Sequence, residues 1–139
     1  MKTLGIDFGE KRVGVAISDP EGRVAVPLET VGRTSDAAVV AAIAELARRE
    51  GVERLVVGEP VNLDGSRGPA AERARRFADK LAAATGLPCE LIDEALTSRE
   101  AAARLRAAGV DPRQVPGRVD AVAAQIVLQD ALDRAAARR

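Results

Sequence analysis

The order of strand and helix patterns predicts an α/β fold in which a mixed five-stranded sheet is flanked by helices. Three strand-like segments follow one another at the start of the chain, and two apolar strands then alternate with amphipathic helices. Strands joined by short turns form an antiparallel meander, whereas strands separated by helices pair in parallel. The predicted order is βββαβαβα, with a short additional helix after the fifth strand, in a single domain spanning residues 1–139.

The first predicted hairpin carries an acid inside an apolar strand. Side chains alternate along residues 4–8, so Gly5 and Asp7 share one face and the apolar residues share the other. Gly9 allows a tight turn, and residues 13–17 return as the second strand. Asp7 is therefore an acid that is costly to bury unless it has a partner.

The third strand and the first helix follow. Residues 24–31 read as a strand in which Pro27 predicts an edge position or an irregularity. Residues 34–36 supply a helix N-cap, apolar residues then recur at helical spacing to Arg49, and Gly51 predicts the helix end.

The middle of the chain contains one strand, one loop and one helix. Residues 55–57 are wholly apolar, as expected for a buried parallel strand. Residues 58–68 are rich in Gly, Pro, Asn and Asp and predict a loop, and Pro69 begins a helix that ends near Gly86.

The next strand is predicted to deliver acids at its carboxyl end. Residues 89–92 form this strand, and Asp93 and Glu94 follow it. Residues 97–100 fit a capping box for a short helix that stops at Gly109.

The last helix is predicted to begin at about Val119, after a loop at 110–118. Asp120 would then lie in its first turn, where the helix dipole tolerates an acid. Among α/β layouts, the complete order is that of the ribonuclease H-like fold.

Composition excludes several kinds of chemistry. The chain has no histidine and only one cysteine, which removes imidazole catalysis and a thiolate zinc cluster and leaves hard-metal carboxylate chemistry. The net charge is zero and the aromatic residues are two Phe, so a basic nucleic-acid surface would have to be local and base stacking is disfavoured. The apolar runs are too short for a membrane span, and a cytoplasmic location without a membrane partner is expected.

Three acids occupy positions that converge in such a fold. Asp7 lies on the first strand, Glu94 ends a later one and Asp120 opens the last helix. Clustered carboxylates bind hard cations such as Mg2+ or Mn2+, and two ions roughly 3.5 to 4 Å apart could drive phosphodiester hydrolysis. Each acid also has a simpler explanation: Asp7 could pair with an arginine, Glu94 could be a solvated loop residue, and Asp120 could be an ordinary helix-start acid.

Four segments together resemble the YqgF/RuvX family, whose members are described as Holliday junction resolvases and as pre-16S rRNA nucleases. They are residues 5–19, residues 56–65 with Glu72, Arg73 and Phe77, residues 92–97, and residues 119–129. The resemblance implies that Asp7, Glu94 and Asp120 are the catalytic, metal-binding acids. It also implies that Lys11 and Arg12 lie on the substrate side and that the loop 62–65 borders the site.

Three positions depart from the family pattern. Ala95 stands where an arginine is usual, which would remove a phosphate-facing cation, and Ser98 stands where a threonine is usual. Glu59 replaces an apolar residue and adds an acid near the expected site.

Basic residues concentrate near the predicted site, where they could hold a phosphate backbone without reading its sequence. The predicted nucleic-acid-binding residues are Lys11, Arg12, Asn62, Arg67, Arg73, Arg76 and Arg118, and Arg75 and Arg113 lie in the same clusters. The helical arginines could equally be solvated faces.

The resulting hypothesis is an endonuclease that depends on Mg2+ or Mn2+ and acts on pre-rRNA or branched DNA. Symmetric cleavage of a four-way junction would need a homodimer, whereas trimming of pre-rRNA would not. Two alternatives remain: a non-catalytic nucleic-acid- or ribosome-binding factor on a nuclease-like scaffold, and ATP phosphotransfer. The Asp7-to-Gly9 turn resembles a phosphate-binding hairpin, but the chain lacks a P-loop.

Overall fold

A computed structural model describes residues 1–9, 11–62, 64–94 and 97–138, with the backbone alone at 97 and 98. Within these ranges one mixed sheet of five strands has the order β3-β2-β1-β4-β5. The strands are β1 (Thr3–Phe8), β2 (Arg12–Ser18), β3 (Ala25–Gly32), β4 (Arg54–Pro60) and β5 (Cys89–Glu94). The pairs β1–β2 and β2–β3 are antiparallel and the pairs β1–β4 and β4–β5 are parallel, which confirms the predicted fold class.

Helices cover both faces of this sheet. In the described ranges they are α1 (Asp36–Glu50), α2 (Pro69–Thr85), α3 (Thr97–Ala107) and α4 (Val115–Ala137). One apolar core lies between the sheet and α1 and α2, and a second lies between the opposite face and α4, with α3 packed on α4. None of the helices in the described ranges is long and apolar enough to span a membrane.

Local sequence signals account for much of this order. The Ser35 side chain accepts the backbone N–H of Ala38 and caps α1, and Gly51 ends that helix with a φ of 66°. β3 is an edge strand, and its pairing with β2 shifts register between the partners of Pro27 and Glu29. Both predictions made from Pro27, an edge position and an irregularity, are therefore confirmed.

The predicted start of the last helix is wrong. Helix α4 begins at Val115, with Pro116 in its first turn, where a missing N–H and a fixed φ are tolerated. Pro116 and Gly117 therefore belong to the helix start, whereas Pro112 lies in the turn that precedes it. Asp120 consequently lies in the second turn of α4, and its place is set by packing against the sheet.

The predicted loop at 58–68 also begins too early, and the strand predicted at 89–92 ends too early. Residues Gly58, Glu59 and Pro60 continue β4, because they pair in parallel with Ile92, Asp93 and Glu94 of β5. Asp93 and Glu94 are therefore strand residues. The side chains of the proposed capping box at 97–98, and Ala95 with its departure from the family pattern, lie outside the described residues.

Glycines bring α4 unusually close to the sheet. A Cβ atom added to Gly5 would lie 2.5 Å from Cβ of Leu128, and one added to Gly14 would lie 1.8 Å from the carbonyl oxygen of Asp120. Real Cβ atoms do not approach other atoms so closely. The absence of a side chain at Gly5 and at Gly14 therefore allows the close position of α4 relative to β1 and β2.

Replacement of Gly14 by alanine tests this contact. We expect Gly14→Ala to lower the free energy of unfolding by about 1–3 kcal/mol or more, because the new methyl group meets backbone atoms that cannot rotate away. Urea unfolding followed by circular dichroism measures the change.

The matched control is Gly32→Ala, at a strand glycine where an added Cβ would meet nothing within 4 Å. We expect this variant to stay within about 0.5 kcal/mol of the wild type. Equal effects of the two substitutions would contradict the packing role of Gly14.

Candidate active site

Asp7 lies near the end of β1, the central strand of the sheet. It is opposite Gly14 of β2 and is only 6% exposed. Its pKa is raised, first by burial and also by the negative charge of Asp120, although a hydrogen bond with Glu94 acts in the opposite direction. The neighbours that shift the pKa of Asp7 are thus acids. These contacts do not support the alternative in which Asp7 pairs with a structural arginine.

Glu94 approaches Asp7 by lying over β4. Its own strand pairs Glu94 with Pro60, and a Cβ atom added to Gly58 would lie 1.9 Å from Glu94 Oε2. Only a glycine at position 58 leaves room for this carboxyl group. Within the described residues, Glu94 Oε2 is buried and has no hydrogen-bond partner.

Two buried carboxyl groups next to each other favour retention of a proton. The pKa of Glu94 is raised to about 9, chiefly by burial and also by the negative charge of Asp7 and a hydrogen bond with it. Both acids therefore lie in an environment that penalises their charge in the absence of a cation. A solvated loop position, the simpler explanation for Glu94, is wrong.

Asp120 reaches the same region from α4. Its Oδ2 accepts a hydrogen bond from Nε of Arg12 at 2.9 Å, and its side chain is 16% exposed. The close approach of α4 at Gly14 places this carboxyl group beside the turn between β1 and β2, where its Oδ1 lies 3.5 Å from the position a Gly9 Cβ would take.

The three acids line one cavity of about 340 Å3 at the carboxyl ends of β1, β4 and β5. Its lining residues are Asp7, Phe8, Gly9, Arg33, Pro60, Ala70, Arg73, Glu94 and Asp120. The space beside Gly5 is filled by Leu128, so this glycine leaves no room for a metal next to Asp7. Gly9 does border the cavity.

The donor set fits a hard divalent cation. Asp7 and Glu94 are hydrogen-bonded to each other, a contact that needs a proton and that a cation could replace, and Glu94 Oε2 lacks a partner among the described residues. Among the described residues, however, no three acids converge as a ready-made metal cluster. Asp120 is instead turned toward Arg12 and would have to exchange that partner to join the other two acids.

Two other acids at this edge of the sheet, Asp93 and Glu59, are paired with arginines. Asp93 projects to the opposite face of β5 and accepts a hydrogen bond from Arg67 at 2.7 Å, so it does not assist Glu94. Glu59 is 1% exposed and is held by Arg67 and Arg75. Burial alone would raise the pKa of Glu59, but hydrogen bonds and positive charge from the two arginines lower it.

The predicted nucleic-acid-binding residues divide into those near the cavity and those away from it. Arg73 lines the cavity and Arg12 pairs with one of its acids, and Lys11 is exposed on the adjoining turn. The remaining residues have other contacts or lie on exposed helix surface. Asn62 donates to Ser66 within its own loop, Arg67 binds Glu59 and Asp93, Arg118 donates to Gln114, and Arg76 is exposed on α2.

Arg33 lines the cavity but was not anticipated from the sequence. Its Nη1 donates to the carbonyl oxygen of Gly9 at 3.2 Å, and its guanidinium lies over the ring of Phe8. Arg33 follows directly after β3, and no motif or periodicity distinguishes it from the other arginines. Only the pairing of β3 with β2 brings it to the site.

Because Asp7 and Glu94 are buried side by side, the metal-free protein should become less stable as the pH rises. Because the pKa of Glu94 rises from 4.5 to about 9 on folding, the folded state keeps a proton that the unfolded state has lost between these values. The free energy of unfolding should therefore fall as pH rises from 5 to 9, by on the order of a few kcal/mol. Glu94→Gln should remove this fall, as measured by urea unfolding in EDTA.

Glu53→Gln, at an exposed glutamate, controls for the general effect of losing one carboxylate. This variant should retain the decline seen in the wild type. A wild-type protein that becomes more stable between pH 5 and 9, or an undiminished decline in Glu94→Gln, would contradict the assignment.

Comparison with known proteins identifies the family. The profile described as "RuvX: Holliday junction resolvase" matches residues 1–134. A relative from Anaeromyxobacter dehalogenans (strain 2CP-1), named "Putative pre-16S rRNA nuclease", is 52% identical over 136 residues, covering 98% of this chain and 99% of the relative. A relative of the same name from Chloroflexus aurantiacus is 46% identical over 130 residues, covering 94% and 85%.

Solved structures support the same fold. RuvC from Thermus thermophilus matches with a TM-score of 0.61 at 19% identity, covering 99% of this chain and 97% of RuvC. A fowlpox virus resolvase bound to Holliday junction DNA matches with a TM-score of 0.60 at 9% identity, covering 97% and 99%. At such identities the likeness establishes the ribonuclease H-like fold alone. The sequence matches carry the family assignment, and the chain belongs to the RuvX family, described as Holliday junction resolvases.

Proposed function

We propose that the protein is a metal-dependent endonuclease that hydrolyses phosphodiester bonds in structured nucleic acid. The observation that carries the proposal is the cavity in which Asp7 and Glu94 are buried side by side, with Asp120 on its wall. Placing like charges together in a low-dielectric site is unfavourable for stability, and such sites are commonly functional. The names of the relatives support the same reaction class.

Asp7 and Glu94 are the proposed principal ligands of Mg2+ or Mn2+, and Asp120 is the third. When bound, the cations would supply charge neutralisation at the scissile phosphate and activation of water, in a reaction of the two-metal-ion type. The strands β1 and β5 hold Asp7 and Glu94 in place before substrate arrives. Arg12, which pairs with Asp120 here, would become available to a phosphate when Asp120 turns toward a cation.

The substrates that this proposal favours are pre-16S rRNA and four-way DNA junctions, and it includes a cytoplasmic location. The first follows from the names of the relatives and the second from the description of the family. Both present a phosphate backbone in a defined three-dimensional arrangement. A homodimer is proposed for junction cleavage alone, since that reaction needs two active sites.

Replacement of Asp7 tests the proposal directly. Asp7→Asn should lower cleavage of both a four-way junction and a pre-rRNA mimic by more than the roughly 10- to 100-fold that loss of a group supporting a metal ligand causes. The measurement is single-turnover cleavage with Mg2+ and with Mn2+. In the wild type, either cation should also raise the melting temperature, because it binds the folded state, and this rise should be absent in Asp7→Asn.

Asp93→Asn provides the matched control, since Asp93 adjoins Glu94 in sequence but faces the other side of the sheet. It should retain cleavage and the metal-dependent rise in melting temperature. Full metal-dependent cleavage by Asp7→Asn would disprove the proposed role of the acids.

The non-catalytic binding factor is a second candidate, favoured by the pairing of Asp120 with Arg12. It predicts that the purified wild-type protein binds the junction or the rRNA mimic but cleaves neither with Mg2+ or Mn2+. The cleavage assay above therefore decides between the two functions.

A further inference from the structure

Arg33 lies over the ring of Phe8, which stacks in turn on Phe77, the other aromatic residue of the chain. Phe8 and Phe77 stack with ring centroids 4.2 Å apart and parallel planes, and the Arg33 guanidinium carbon lies 4.2 Å from the Phe8 centroid. Two groups at such short distances cannot share one face of a ring. Arg33 and Phe77 therefore lie on opposite faces of Phe8, and the chain has no other Phe, Tyr or Trp.

Further contacts fix the remaining freedom of the Arg33 side chain. Its Nη1 donates to the Gly9 carbonyl at 3.2 Å, and its Nη2 lies 3.6 Å from Oδ1 of Asp36 at the start of α1. Its backbone N–H donates to the carbonyl oxygen of Lys11, which extends the β2–β3 ladder by one bond. The guanidinium is thus held by β1, the first turn and α1 at once.

The guanidinium of Arg33 places a positive charge in the cavity that the acids line. Arg33 contacts the two residues that directly follow Asp7, and it lines the cavity together with Arg73 of α2. Carboxyl groups in the same cavity would repel a phosphodiester, so a substrate there needs positive charge from the protein as well as from cations. A stacked guanidinium offers planar donors that match phosphate oxygens and loses little freedom on binding.

We propose that Arg33 is a substrate-positioning residue that contacts a backbone phosphate of the nucleic acid next to the bond that is cut, with its guanidinium presented by the Phe8–Phe77 stack. This proposal rests on the proposed function for the identity of the substrate. The contact is to phosphate and carries no sequence information, so it serves RNA and DNA alike.

Salt-dependent binding tests the contact without any cleavage. Binding of a labelled four-way DNA junction and of a labelled RNA hairpin is measured by fluorescence anisotropy in EDTA between 50 and 200 mM KCl. Each lost phosphate contact lowers the slope of log affinity against log salt by about 0.9 for duplex DNA. We expect Arg33→Met to show this reduction and to bind about tenfold more weakly at 150 mM KCl.

Two further variants separate charge from structure. Arg33→Lys keeps the charge and should keep the wild-type salt slope, although its affinity falls because the planar donors are lost. Arg49→Met removes an exposed charge from the far end of α1, about 20 Å along the helix from Asp36, and should bind within about twofold of the wild type. An unchanged slope in Arg33→Met, or an equal loss of slope in Arg33→Lys, would overturn the proposal.

Footprinting of the wild-type chain covers the case in which the Arg33 variants do not fold. An arginine-specific reagent followed by peptide mass spectrometry should find Arg33 protected by the bound junction and Arg49 unprotected, and absence of protection at Arg33 would overturn the proposal. These readouts involve no cleavage. Retention of cleavage by Asp7→Asn would therefore disprove the proposed nuclease mechanism and leave the binding result for Arg33 unchanged. An unchanged salt slope in Arg33→Met would disprove the role of Arg33 and leave the nuclease mechanism unchanged.

Discussion

The close packing of α4 against the glycine face of the sheet is the contact on which the site depends. Gly14 lets the backbone of Asp120 approach β2, and Gly5 accepts Leu128 from the same helix. A side chain at either position would push α4 outward, and the third acid would move away from the other two. The same absence of side chains at Gly58 lets Glu94 lie over β4. Three glycines on three strands therefore allow the three acids to line one cavity.

The burial of two adjacent carboxyl groups opposes folding stability. Their raised pKa values indicate that the folded protein would hold a proton between them at neutral pH when no cation is bound. Apolar side chains at these two positions would stabilise the fold more than the acid pair does. A cation-binding role explains why the chain contains it, because a bound cation removes the repulsion and compensates for the lost hydration.

Arginines near this edge of the sheet have different tasks despite their similar sequence contexts. Arg67 and Arg75 neutralise the buried Glu59 and join β4 to the following loop and to α2. A buried carboxylate left without these partners would be strongly destabilising. Arg33 and Arg73, in contrast, line the cavity with the acids. Glu59, which departs from the family pattern, is thus a structural residue and not an additional metal ligand.

The element order, the sheet type, most helix caps and the buried acid Asp7 could be predicted from the sequence, because they follow from local rules: alternation in strands, helical periodicity, glycine stops and an acid in an apolar strand. Glu94 and Asp120 could be predicted as companions of Asp7 from the order of the elements, and all three acids line one cavity. Contacts between distant parts of the chain were needed to show the extension of β5 through Asp93 and Glu94, the pairing of Glu59 with two arginines and the presence of Arg33 in the cavity. Each of these depends on a partner distant in the chain, and no local pattern encodes which distant residue comes within contact.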